Sequence, residues 1–517
     1  MKKLAYIIFI ITLTITNCYS QGGFSKNYFF NTSLTSLITD AFETPIGNLI
    51  LVGKTNDSLN GQNFNRLTVI GATANGTELW RKSYGNYKFQ YLNNTFTSRA
   101  VITYSNCFYL YSAALDSNNK YFSVLIKFNF NGDTLWQKKY YDATDYLYIQ
   151  SICKSVDNGF LMTGFFEGAL ETCLLIKTDS TGKELWRKKL NKGVTPDTQA
   201  GHRVIQDSVS KKIIIAGFQY QWDGTQPGGF SGYANIIVTD SLGIELQRKA
   251  YSGACGSGFY DLIQTRDKHF IAVGSNDQCD DMGGPGGTRR KKSFLIKINI
   301  ANLTTPLWQK EFDVSSPIND ITTILELGNG SLILGGVLDT LNSYNLPKKG
   351  MLRVIKLDKN GNLLWKKYLS RDNAQKNTKF PTGLNKCANG GFIFANQLLY
   401  LNKRPYNFTI IDSMGCDSTI AYCSTVGLQE INKNAKEIKL YPNPSNGILN
   451  IDLENVNAIS TSSITNLNLK IINTLGQTIL ESKLEKTINI SNLNNGIYFL
   501  QLFDKGNLIG TEKIIKE

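Results

Sequence analysis

The 517-residue chain has only two histidines, His202 and His269, and it has no Cys-x-x-Cys pair. Neither histidine shares a metal-like spacing with a cysteine, which argues against a structural zinc site. Neither sits in a recognisable triad context. There is no Gly-x-Ser-x-Gly, no His-Glu-x-x-His and no P-loop sequence. These absences argue against nucleophile-elbow hydrolases, zincins and P-loop NTPases. Paired carboxylates converge in space rather than in sequence, so a glycoside hydrolase or lyase stays open. Low-complexity tracts are missing, proline is modest at 11, and only one apolar run is long enough to notice.

That run is N-terminal. Lys2 and Lys3 precede the apolar stretch from Leu4 to Ile15, and Thr16-Asn17-Cys18-Tyr19-Ser20-Gln21 follows. A bilayer span needs about twenty helical residues, so this reads as a secretory signal, residues 1–20, cleaved near Ser20/Gln21. Cys18 raises a lipoprotein reading, which Thr16-Asn17 fit poorly. Removing Cys18 leaves eight of nine cysteines, an even number in an exported chain. Cys416 with Cys423, and Cys255 with Cys279, are the candidate disulfides. Cys107, Cys153, Cys173 and Cys387 lie near strand-like runs and read as buried thiols.

A repeat dominates what is present. Gly76-Thr-Glu-Leu-Trp80-Arg-Lys82 recurs at Gly132–Lys138, Gly182–Lys188, Gly243–Lys249, Thr304–Lys310 and Gly361–Lys367. A degenerate copy begins at Gly415. Five of the six tryptophans fall on one position of this motif, which chance does not explain. Each copy carries a mixed strand, a turn, a strand ending in Gly, a variable loop, a third strand, an Asp-x-x-Gly turn and the Leu-Trp strand. Four strands in about 55 residues is the size of one propeller blade. Side chains alternate between the faces of a strand, so an adjacent Leu-Trp pair asks for both faces to be covered, as in a blade held between two others. Phe24-Ser-Lys26-Asn-Tyr28 matches Trp80-Arg-Lys82-Ser-Tyr84 with Phe in the Trp slot. Residues 24–30 are therefore expected to complete the seventh blade and close the ring. The expectation is an all-β chain with a seven-bladed β-propeller over 21–425.

The motif, most clearly Gly182-Lys183-Glu184-Leu185-Trp186, resembles the Trp-docking blades of quinoprotein-like propellers. Those enzymes often carry a vicinal cysteine pair. No two cysteines are adjacent here, so quinone chemistry does not follow from the resemblance, and no cofactor is expected.

Past a polar linker, 426–436, the pattern changes. Tyr441-Pro442-Asn443-Pro444-Ser-Asn-Gly447 opens a set of alternating runs, with a Leu475-Gly476 turn, Asn495-Gly496-Ile-Tyr498-Phe499 and a closing Lys513-Ile-Ile-Lys516. The alternation suits a small Ig-like β-sandwich. These elements, in this order over 437–517, resemble the type A C-terminal sorting domain of type IX secretion. The resemblance implies passage through the periplasm, an outer-membrane translocon and a sortase-like peptidase as partners, and release or attachment at the cell surface. Cleavage is then expected in or near 426–436.

Net charge is +14, while 437–517 carries 7 Lys and 8 acids, so the excess lies upstream. Much of it follows the Trp slot, on the outer strand of each blade, where lysine discourages edge pairing. No motif for dedicated nucleic-acid recognition accompanies it. Propellers bind through loops at one end, and the longest insertions lie in the fourth and fifth repeats. Tyr220, Trp222, Phe230 and Tyr233 are candidates to stack on sugar rings, or else they pack the loop itself. Asp277, Asp280 and Asp281 are candidate oxygen ligands for Ca²⁺ without an EF-hand spacing. The functional expectation is a secreted, non-catalytic propeller that binds a surface glycan or protein. The alternative is an extracellular glycoside hydrolase or lyase working in the propeller funnel.

Overall fold

The computed structural model describes residues 24–30, 36–59, 62–92, 101–104, 106–143, 146–167, 171–190, 198–222, 230–251, 256–278, 290–316, 319–341, 347–369, 378–399, 405–415, 437–454, 467–473, 477–504 and 507–517. Two compact units divide between Cys423 and Ser424. The signal segment 1–20, the linker 426–436 and the Leu475-Gly476 turn lie outside the described residues.

The first unit is a ring of seven antiparallel sheets, each a blade of inner, second, third and outer strand. Blade 1 is Ser36–Glu43, Leu49–Leu59, Gln62–Ala72 and Glu78–Tyr84. Blade 2 has its inner strand in two pieces, Gln90–Leu92 and Val101–Thr103, followed by Cys107–Leu115, Tyr121–Asn129 and Thr134–Tyr140. Blade 3 is Tyr146–Lys154, Phe160–Glu167, Thr172–Thr178 and Glu184–Leu190. Blade 4 is Thr198–Gln206, Ile213–Trp222, Phe230–Thr239 and Glu245–Tyr251, and blade 5 is Gly256–Gln264, Phe270–Gln278, Arg290–Ile298 and Trp308–Ser316. Blade 6 is Asn319–Glu326, Leu332–Leu341, Pro347–Leu357 and Leu363–Leu369. In blade 7, Thr378–Lys386, Phe392–Leu399 and Tyr406–Ile411 receive Phe24–Tyr28 as outer strand, with Phe24 opposite Ile410 and Tyr28 opposite Tyr406. The N-terminal strand thus closes the ring, as its sequence match foretold.

Closure is reinforced where blade 7 meets blade 1. Thr382 Oγ1 donates to Ile38 O at 3.1 Å, and Asn385 Nδ2 donates to Asp40 Oδ1 at 2.8 Å. The middle strands are apolar on both faces, so aliphatic and aromatic side chains fill every space between blades.

The repeat's Gly and Trp explain each other. Gly76, Gly132, Gly182, Gly243, Gly361 and Gly415 all sit near φ = +80°, which a residue with a Cβ resists. The ring of the preceding blade's outer strand also occupies the space that a Cβ would need. Added at Gly132, a Cβ would lie 2.6 Å from the Trp80 indole, and at Gly415 it would lie 2.5 Å from Trp365. Phe24 takes the same place over Gly76. Four residues after the slot, a tyrosine hydroxyl donates to the same turn. Tyr28 reaches Gly76 O at 2.6 Å, Tyr140 reaches Gly182 O at 2.7 Å, and Tyr251 reaches Leu303 O at 2.7 Å. Six of the seven junctions are thus latched by one ring and, in several cases, one hydrogen bond; between blades 4 and 5 the slot holds Gln247, whose Nε2 donates to Ile300 O at 3.3 Å.

Two sequence expectations need correction. The Leu of the Leu-Trp pair is not covered: Leu79, Leu135, Leu185, Leu246, Leu307 and Leu364 are about half exposed, with Leu185 at 55%. The pairing register slips at this point, for example from Trp186↔Lys177 to Glu184↔Thr178. The leucine is the extra residue of a β-bulge, so simple alternation does not apply to it. The arginines after the Trp slot are also not a solvated edge. Arg187 pairs with Glu184 at 2.6 Å and Asp142 at 3.0 Å and donates to Tyr141 O, bracing blade 3 against blade 2. Arg81 and Arg248 repeat the arrangement, Arg248 with Glu245 at 2.8 Å and Leu190 O at 3.2 Å.

The second unit is a β-sandwich. Glu437–Tyr441, Ile448–Glu454 and Thr487–Asn489 form one sheet. Thr478–Lys483, Leu467–Asn473, Gly496–Asp504 and Asn507–Lys516 form the other. Leu449, Leu469, Ile471, Ile488, Leu500, Leu502 and Ile514 make its core.

Candidate functional site

Strand direction sorts the propeller's connections onto two faces. Inner-to-second and third-to-outer connections are short turns, and all emerge at one end. Asp179 shows how they close, its Oδ1 accepting from the backbone N–H groups of Thr181 at 2.8 Å and Lys183 at 2.9 Å. Second-to-third and outer-to-inner connections vary in length and emerge at the other end. Exposed large apolar side chains follow the same division. Among the described residues of the propeller, the exposed aliphatics, such as Ile46, Val209, Leu242 and Leu185, lie at the turn face. The exposed aromatics Phe29, Tyr87, Tyr141, Tyr146 and Tyr220 lie at the loop face.

Two inner-strand carboxylates, Asp40 and Asp261, are consumed by structure. Asp40 accepts from Ala41 N–H and Asn385. Asp261, fully buried, faces the Arg203 guanidinium at 3.3 Å and accepts from Leu262 N–H at 2.9 Å and Ile324 N–H at 3.0 Å. Arg203 also donates to Ser151 Oγ, so one ion pair ties blades 3, 4, 5 and 6 together. His202 is buried beside it, its Nδ1–H donating to Phe259 O at 2.8 Å. Burial pushes its pKa down to about 4, against a smaller upward pull from that carbonyl, so it is a neutral packing group at pH 7. His269 lies 3.4 Å from Asp267, which also pairs with Lys297 at 2.6 Å in a turn.

The cysteines that can be described are inert. Cys107, Cys153, Cys173 and Cys387 are free and buried. Burial raises the Cys153 and Cys173 thiols to about 11 and Cys387 to about 12, far from thiolate reactivity. Cys255, Cys279, Cys416 and Cys423 lie outside the described residues. No group of three or more His, Cys, Asp or Glu able to hold a metal occurs among the described residues.

The two long insertions belong to neighbouring blades and the same face. In blade 4 the second and third strands run on to a Trp222↔Phe230 pair, and in blade 5 to Gln278↔Arg290, one residue past Asp277. Asp280 and Asp281 lie outside the described residues. Tyr220 is partly exposed and meets Phe218 edge-on at 5.2 Å; Phe218 in turn meets His202 at 5.1 Å. Tyr233 pairs with Gln219 in an unbroken register, so Tyr220 and Tyr233 fall on opposite faces of the sheet and do not form one platform.

A second aromatic group, not singled out in the sequence, stands between blades 2 and 3 on the loop face. Tyr121 meets Tyr146 at 4.6 Å and Tyr148 at 6.1 Å, and Tyr148 stacks on Phe165 at 5.0 Å. Glu167 lies opposite Tyr146 in the strand register, and burial first, then Glu167, push the Tyr148 hydroxyl well above its ordinary pKa. The only sequence signal was Tyr146-x-Tyr148 at the head of an inner strand; which blade it meets is not written locally.

In the C-terminal unit the recognised motif has a physical role. Asn443, between Pro442 and Pro444, donates to Lys513 O at 2.6 Å and accepts from Ile515 N–H at 2.8 Å. Ser445 continues the contact to Ile515 O at 2.9 Å. The opening Tyr441-Pro-Asn-Pro segment is therefore clamped to the closing strand, which joins the two ends of the domain. Gly447 O accepts from Ile490 N–H, and the Tyr498 hydroxyl donates to Asn494 O at 2.9 Å, two residues before Gly496.

Residues 439–517 match the family described as a secretion system C-terminal sorting domain. The chain is thus a type IX-secreted β-propeller protein delivered to the cell surface or the extracellular space. Its sorting domain implies interaction with the translocon and its sortase. No helix of the described residues is long and apolar enough to cross a membrane. No curated protein matches the chain. Among solved structures it is similar to a Dyadobacter fermentans DSM 18053 protein of unknown function, at 9% identity and TM-score 0.39, over 75% of this chain and 97% of that one. It is also similar to the NanB sialidase from Streptococcus pneumoniae, at 9% identity and TM-score 0.37, over 76% and 71%. A third is the WD40 domain of SCAP from fission yeast, at 8% identity and TM-score 0.37, over 76% and 98%. At these scores the architecture rests on the sheet order and ring closure described above.

Proposed function

We propose that this exported propeller, residues 21–425, is a non-catalytic binding module whose loop face takes a surface glycan, and that 426–436 is the linker at which the sorting domain is removed. One observation carries the reading: exposed aromatics gather on the loop face, where connections vary, while exposed aliphatics stay on the turn face. Tyrosine and tryptophan offer a flat apolar body with a polar tip, which suits sugar rings. On the blade 4 hairpin, Tyr220 on one face of the sheet and Tyr233 on the other, with Trp222 and Phe230 at the tip, are separate candidate stacking positions, and Asp277, Asp280 and Asp281 on blade 5 are candidate Ca²⁺ ligands. A funnel hydrolase is the weaker reading, because two of the inner-strand carboxylates, Asp40 and Asp261, are engaged in bonds between blades.

The test is a glycan array probed with the mature full-length chain, with and without Ca²⁺. Binding to a defined glycan class, without release of shortened products, supports the proposal. Silence across neutral, acidic and basic glycans overturns it, and product release establishes the hydrolase instead.

A further inference from the structure

The larger sheet of the C-terminal unit departs from the usual division of a sandwich. Side chains alternate along a strand, so a two-layer sandwich buries one face of each sheet and gives polar residues to the other. Here Leu467, Leu469, Ile471, Leu500, Leu502 and Ile514 fill the core, and Tyr498 packs against it. The residues between them face outward. One half of that outer face is polar, with Asn468, Lys470 and Gln501. Phe503 lies there too, and the Lys470 ammonium covers it 5.6 Å from the ring centre while pairing with Glu481 at 3.0 Å. The other half is apolar, with Ile472, Ile497, Phe499 and Ile515. The register joins these four into one patch. Ile472 lies opposite Phe499, Ile497 lies opposite Ile515, and Ile497 and Phe499 are successive outward residues of one strand. Directly opposed side chains stand about 5 Å apart. Ile479, 45% exposed, extends the patch where the edge strand bulges beside Ile472. None of these side chains packs in the core, and Ile497 is 42% exposed.

The patch coincides with the motif. In Asn495-Gly496-Ile497-Tyr498-Phe499, Tyr498 turns inward and its hydroxyl donates to Asn494 O, so it serves the fold. Ile497 and Phe499 turn outward and do not. Ile515 stands on the closing strand, which Asn443 holds by accepting from Ile515 N–H. Contiguous apolar side chains on the outside of a domain mark an interaction surface. Its position names the occupant, because the patch lies within 439–517, the part of the chain that the secretion machine reads.

We propose that Ile472, Ile497, Phe499 and Ile515 form the surface by which the folded sorting domain docks on the translocon, against an apolar protein face. Lys513, opposite Phe499, stands at its rim. The inference is independent of the glycan reading.

The experiment is secretion of the full-length chain in a bacterium that carries a type IX system, read as the ratio of extracellular to periplasmic protein. The patch variant is Ile497→Thr/Phe499→Thr, since threonine keeps strand propensity and removes apolar area. Phe499→Leu is the conservative change. Ile448→Thr is the control: Ile448 is 58% exposed on the other sheet, next to the buried Leu449. Each purified chain is checked for an unchanged melting temperature. The patch variant should lower the ratio at least about tenfold, with folded protein held in the periplasm. Phe499→Leu and Ile448→Thr should stay within about twofold of wild type. If the double variant melts lower, the half-exposed Ile497→Thr alone carries the test, with a loss of at least about threefold expected. Wild-type secretion of a folded patch variant overturns the proposal, as does an equal loss in Ile448→Thr. A wild-type chain that sediments as a dimer, with the patch variant monomeric and fully secreted, assigns the face to a second copy and also overturns it.

Discussion

The two faces of the propeller are built by opposite rules. At the turn face nearly every blade repeats one device: a glycine near φ = +80°, a ring from the previous blade laid over it, and often a tyrosine hydroxyl on its carbonyl. Connections there are short and their Asp or Asn side chains are spent on their own backbones. At the loop face connections differ from blade to blade and tyrosines are exposed. Repetition at one end secures ring closure, and that frees the other end to vary without loss of the fold. The scattered leucines of the turn face need no partner, since singly exposed apolar side chains are normal.

If that contrast is right, the largest damage to stability comes from one methyl-bearing side chain at the turn face. Gly132→Val forces a β-branched residue to φ = +81° and into the Trp80 ring. A loss of about 3 kcal/mol or more is expected, read as a lowered denaturation midpoint. A midpoint close to wild type would mean that the docking is ornamental.

A smaller effect is set by pH. The pKa of His202 falls from about 6.5 in the unfolded chain to about 4 in the fold. Between these values the unfolded chain binds the proton and the folded one does not, so stability is fully present above pH 6.5 and declines as pH falls toward 4. Denaturation at pH 7 and pH 4.5 should differ by about 2–3 kcal/mol from this group alone. His202→Gln, which keeps a donor for Phe259 O, should remove that part of the slope; an unchanged slope would place the titrating group elsewhere. Asp157, held down to about 2, adds its own loss only below about pH 4. Burial opposes that shift, and the bonds from Lys177, Ser155 and Gly159 N–H outweigh it.

Much of the fold was legible because it repeats. The Trp slot gave the blade count, and Phe24 in that slot gave the closing strand. Alternation failed at Leu79, Leu135 and their counterparts, because a bulge is a property of pairing and not of one strand. Charge alone did not reveal Arg187 as a brace, since its partners Tyr141 O and Asp142 come from the preceding blade. The site was less legible for the same reason. Tyr121 and Tyr146 meet only through the contact between two blades, so the aromatic residues of the long blade 4 loop drew attention first. In the C-terminal unit the Tyr-Pro-Asn-Pro segment was readable as a motif, and its clamp onto Lys513 and Ile515 supplies the reason for the spacing.

The most direct test of the two-face account is one array experiment on matched variants of the mature full-length chain. Tyr146→Ala alters the loop face and Leu185→Ser the turn face; both side chains are about half exposed, so each should change stability by no more than about 0.5 kcal/mol. The account predicts that the loop-face variant loses glycan signal while the turn-face variant keeps it. Loss in the turn-face variant with full signal in Tyr146→Ala would contradict it.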